Sequence, residues 1–114
     1  MLVEVIHSAF SERNNPITVA TVKAPQSDID AALEYAYRWT NNVQGSWSIK
    51  KTSFPDPANG DRANGDYNEN VDVLYVRPDG MGQRSTMMGD RMVVDGETYK
   101  VAVMGFTKVE META

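Results

Sequence analysis

The pair Asp95-Gly96, set between the runs Arg91–Val94 and Thr98–Met104, constrains this chain more than any other feature. Asp-Gly readily takes the positive φ angles of a hairpin turn whose twist matches that of the strands it joins. A two-residue loop places Met92 opposite Tyr99, whereas a four-residue loop places Val94 there. The two registers differ by an even slip, so both put Met92, Val94, Tyr99 and Val101 on one face, which is expected to be core. Gly105 permits a bend before Phe106.

Upstream, Leu2–Ser8 and Ile17–Lys23 read as strands that pair across the polar turn Ser11–Pro16. One helix follows. Ser27 and Asp30 have the spacing of a capping box, and Ile29, Leu33, Ala36 and Tyr37 make an apolar stripe that ends near Asn41 and Asn42. Trp47–Ser53 is expected as a short strand and Val71–Arg77 as a central one, because apolar residues fall on both of its faces. Between them, residues 54–70 carry two copies of AlaAsnGlyAsp and read as a mobile loop; residues 110–114 read as a frayed tail. The expected fold is a single α+β domain over 1–114: an antiparallel sheet of about five or six strands, curved or partly closed, covered by one α-helix.

Composition removes several chemistries. The chain has no cysteine, which excludes disulfides, thiolate-held zinc and cysteine nucleophiles. A calcium loop fails on spacing, since Ala58 or Ala63 falls where a ligand is required. His7 is the only histidine, no nucleophile elbow or phosphate-loop pattern occurs, and no carboxylate pair stands out, so neither catalytic residues nor a cofactor or metal is expected. The first ten residues lack the pattern of a signal peptide or membrane span, so the expected location is cytoplasmic, with no membrane partner. A net charge of −5 disfavours wide contact with nucleic-acid phosphates.

Two groups of residues invite a binding role. Tyr35, Arg38 and Trp39 lie beside or beyond the helical stripe, with Trp47 shortly after. They serve either as core, through large ring area, or as partner anchors or a stacking platform for bases. Arg84, Ser85 and Thr86 would suit an anion: a guanidinium fork with two hydroxyls. The plainer reading, which we favour, is that Ser85 and Thr86 cap a turn while Arg84 pairs with Asp90 or covers the helix end.

The order ArgSerThr, two residues, GlyAsp, a short apolar run, a glycine turn, an aromatic and a closing GlyPhe resembles a motif of small bacteriophage and conjugative-element proteins. Tyr37-Arg38-Trp39-Thr40-Asn41 and Ser46-Trp47-Ser48 are similar to an upstream segment of the same proteins. The likeness covers roughly residues 31–48 and 84–106, and departs at Met87 and Met88, where a small polar residue and Val are usual. It implies lineage and brings no catalytic residues. The resulting expectation is a non-enzymatic accessory protein, of phage or mobile-element origin, that binds a host or phage protein. The alternatives are a single-stranded nucleic-acid-binding module, using Trp47, Lys50, Lys51 and Arg84, and a homo-oligomeric structural component.

Overall fold

The computed structural model describes residues 1–10, 14–43, 46–48, 54–56, 60–62, 65–66, 68–75, 77–78 and 82–109. In chain order the elements are β1 (Leu2–His7), β2 (Ile17–Lys23), α1 (Ile29–Trp39), β3 (Phe54–Asp56), β4 (Gly60–Arg62), β5 (Val71–Val73), β6 (Arg91–Val94), β7 (Glu97–Val101) and β8 (Phe106–Lys108). Six strands form one antiparallel sheet in the order β5-β2-β1-β6-β7-β8, while β3 and β4 pair as a separate ribbon. The architecture is α+β, with β5 and β8 as open edges; the sheet does not close. No helix among the described residues is long and apolar enough to cross a membrane.

The β6–β7 hairpin takes the two-residue loop. Asp95 and Gly96 have φ of 52° and 77°, and Met92 faces Tyr99 while Val94 faces Glu97. Period-two alternation then sorts the faces. Val3, Val5 and His7 of β1 point inward and are buried, whereas Leu2 and Glu4 are exposed. A bulge between Val5 and Ile6 shifts the β1–β2 register, so Val5 pairs with Ala20 but Ile6 with Thr18. Val19, in the extra position, is buried all the same.

Helix α1 lays Ala32, Leu33 and Ala36 on the core, with Ile29 packed at its margin. Full burial of Leu33 alone is worth about 1.5–3 kcal/mol. The N-cap is Asp28 and not Ser27: its Oδ2 accepts from the Ala31 N–H at 3.1 Å. A carboxylate at that position also meets the positive end of the helix, which a hydroxyl cannot do as well. The helix stops at Trp39, close to the expected asparagines: Thr40 is its C-cap, at φ −114° and ψ 29°, and its hydroxyl donates to the Ala36 carbonyl at 2.7 Å.

Four further expectations are corrected or bounded. β5 is an edge strand, not a central one, and covers only Val71–Val73; Val71 and Val73 pack at the core margin, and Leu74, just beyond the strand, is 53% exposed. Trp47 and Ser48 sit in a turn, and the rest of the strand expected there, residues 49–53, lies outside the described residues. Within 54–70, read as a mobile loop, Phe54–Asp56 pairs with Gly60–Arg62. The tail 110–114 is likewise outside the described residues.

Candidate functional site

The segment from Gln83 to Asp90 threads between the end of β1 and the end of α1, and Asp90 is its centre. The Asp90 carboxylate is fully buried and takes both guanidinium nitrogens of Arg84, at 2.7 and 2.8 Å. It also accepts from the backbone N–H groups of Ser8 and Ala9, each at 2.9 Å, and of Met87 at 2.8 Å. Burial by itself would raise the Asp90 pKa, but the Arg84 fork and the Met87, Ala9 and Ser8 donors outweigh it and hold the carboxyl below its ordinary value. Gly89, at φ 99°, lets the backbone pass Ala9: a Cβ there would lie 3.1 Å from that of Ala9.

A second chain of bonds ties the same segment to the helix end. The Thr40 hydroxyl spends its proton on the Ala36 carbonyl, so the Thr86 hydroxyl must donate to Thr40, at 2.8 Å. That leaves His7 Nε2 as the donor to Thr86 Oγ1, at 3.2 Å. The direction of three bonds thus assigns the proton on His7 Nε2. Ser85 Oγ accepts from the Asn42 N–H at 2.8 Å, and the Trp47 indole donates to the Arg84 carbonyl at 2.9 Å.

The seven candidate residues separate accordingly. Trp47 is 2% exposed, its ring T-shaped to that of His7 at a centroid distance of 6.2 Å, and Thr86 is 1% exposed; neither offers a surface to a partner in this conformation. Arg84 and Ser85 are engaged within the chain, through Asp90 and Asn42. Of the residues of the stacking platform, Trp47 is core and Arg84 is engaged by Asp90, while Lys50 and Lys51 lie outside the described residues. Tyr35, Arg38 and Trp39 stay together on the helix. Arg38 stacks over the Trp39 ring at 4.1 Å, and Tyr35 lies 6.3 Å from it. Two of the three also fasten a neighbouring segment, since the Tyr35 hydroxyl accepts from Asn68 and Asn70 and Arg38 sits 3.3 Å from buried Asp66.

A surface that sequence reasoning missed lies at the other side of α1. The turn between β7 and β8, closed by the Ala102 N–H on the Gly105 carbonyl at 3.0 Å, projects Val103 and Met104 at 84% and 91% exposure. Beside it runs a groove of about 350 Å³ whose walls include Glu34, Tyr37 and Phe106. Tyr37 and Phe106 meet edge to face at 6.1 Å. Met87 and Met88, 40% and 55% exposed, belong to the adjoining turn, which the Gly89 N–H bonds to the Val101 carbonyl. The only hint in the sequence was two apolar residues directly before a turn glycine. No family model, curated protein or solved structure matches this chain.

Proposed function

We propose that the chain is a non-enzymatic accessory protein that binds another protein through the β7–β8 turn and the groove beside it. The carrying observation is the exposure of Val103 and Met104, consecutive apolar side chains held clear of the core at 84% and 91%. Apolar surface of this kind, beside a groove with aromatic walls, suits the anchor position of an interface. Asp30, Glu34 and Tyr37 fall at i, i+4 and i+7 on α1, so two carboxylates and the groove share one stripe. With a net charge of −5, the partner chemistry that fits is an apolar side chain flanked by lysine or arginine. Action in a host cytoplasm on behalf of a bacteriophage or mobile element is part of the same proposal and rests on the motif residues alone.

The test is capture from host lysate with three baits: the wild type, Val103→Ser/Met104→Ser, and Trp39→Ala. A protein retained by the wild type and by Trp39→Ala but lost by the double variant supports the reading. Equal capture by all three overturns it. Wild-type dimers in sedimentation that the double variant abolishes would make the partner a second copy of this chain.

A further inference from the structure

We propose that the open face of the sheet, opposite α1, carries a second site, one that takes a nucleotide unit: a phosphate beside an aromatic base. Arg91 of β6 and Lys100 of β7 are direct cross-strand partners. Two cations placed opposite one another repel, and the sheet gains nothing from the arrangement. Both side chains are exposed, and neither takes part in an ion pair or hydrogen bond among the described residues. Glu4 is the nearest carboxylate in the strand register, but it belongs to the next row, opposite Val93. In a chain of net charge −5, the register thus sets two uncompensated cations side by side.

Phe10 supplies the second observation. It follows β1 at φ 56°, a region that bulky residues enter at a cost, and its side chain is 65% exposed. Burial does not explain a strained, solvent-facing phenyl ring. The ring, both cations, Ile6 and Pro16 all line one concavity of about 610 Å³, within the roughly 300–1,000 Å³ of small-molecule sites. A guanidinium and an ammonium together match the oxygens of one phosphate, and a phenyl face matches a base, which stacks with little regard to its identity. A carboxylate ligand would use the cations and leave Phe10 without a role.

The experiment is fluorescence anisotropy of a labelled oligothymidylate at low ionic strength, with unlabelled AMP and inorganic phosphate as competitors. One phosphate held by both cations predicts a shallow salt slope, of roughly −0.7. Arg91→Glu/Lys100→Glu should abolish binding. Phe10→Ala should weaken it roughly tenfold while leaving the salt slope unchanged. Displacement by AMP identifies a free nucleotide as sufficient; binding of the oligonucleotide that AMP does not displace identifies the strand. Absence of binding at low salt, retention by the charge-reversed variant, or displacement of the oligonucleotide by phosphate as readily as by AMP overturns the proposal. Arg91→Thr/Lys100→Thr should also lose binding and melt no lower than the wild type, which separates lost contacts from lost fold. The variant Val103→Ser/Met104→Ser should bind the oligonucleotide normally, so this site and the protein-binding tip fail independently.

Discussion

Arg84 grips both oxygens of Asp90 from six residues away in the same segment, and in doing so fixes a carboxylate that also holds Ser8 and Ala9. The pair is a fastener between the exit of β1 and the approach to β6. Its charges are compensated inside the chain, which is why the anion-binding reading of Arg84, Ser85 and Thr86 finds no support in the geometry.

Asp90→Asn should cost about 2–4 kcal/mol, somewhat less than breaking a fully buried pair because Arg84 is 24% exposed. Arg84→Lys should cost less but cannot restore the two-point grip. A double-mutant cycle by chemical denaturation measures the coupling, and coupling near zero would contradict the geometry.

Stability should fall on the acid side. The Asp90 pKa is lowered in the folded chain, whereas an unfolded carboxyl titrates near 3.9. The unfolded chain therefore binds the proton first, and the contribution is complete well above pH 4 and lost as pH falls through the folded value. Glu97, lowered by its bonds to Lys108 and Tyr99, acts in the same direction but is exposed and screened. Urea melts between pH 3 and 7 should show a flatter acid limb for Asp90→Asn than for the wild type.

Thr86→Val removes the acceptor for His7 and should cost about 1–3 kcal/mol, the usual loss when a buried donor is left unpaired. Thr86→Ser should recover most of it. Nitrogen chemical shifts of His7 should place a proton on Nε2; a neutral ring carrying it on Nδ1 alone would contradict the bond directions.

Glycine substitutions should rank by space as well as by φ. Gly96→Ala meets nothing within 4 Å and should cost about 1 kcal/mol, for the left-handed backbone alone. Gly89→Ala carries the same backbone penalty and adds a 3.1 Å approach to Ala9, so it should melt lower than Gly96→Ala.

At the start of the helix, Asp28→Ala should cost about 1 kcal/mol and Ser27→Ala a few tenths at most. Thermal melts of the two variants distinguish the caps.

The hairpin register was readable because a two-residue Asp-Gly turn and period-two burial point the same way, and Met92, Val94 and Val101 are buried as expected. The cap was misread for a local reason: Ser27 and Asp28 are adjacent, both are good caps, and only the chain direction before the helix chooses between them. Trp47 was unreadable for a different one. An indole suits both core and interface, and its burial depends on Arg84 and His7, which are remote in sequence. The same distance hid the His7–Thr86–Thr40 chain, while Arg84–Asp90, six residues apart, was within reach of local reasoning. The edge position of β5 could not be inferred because strand order follows from pairings that no single stretch encodes. The Arg91–Lys100 juxtaposition, by contrast, follows from the two-residue register alone.

The strand order has a kinetic consequence. One seam, β1 against β6, joins β5-β2-β1 to β6-β7-β8, and it matches Val3 with Val94. The β6–β7 hairpin can close locally and quickly, but this seam requires contact between residues at nearly opposite ends of the chain, so the entropy of closing that long loop is offset only late. Folding should therefore be slow for a domain of this size. Asp90, bonded to Ser8 and Ala9 at the end of the same seam, is placed to retard unfolding more than to speed folding.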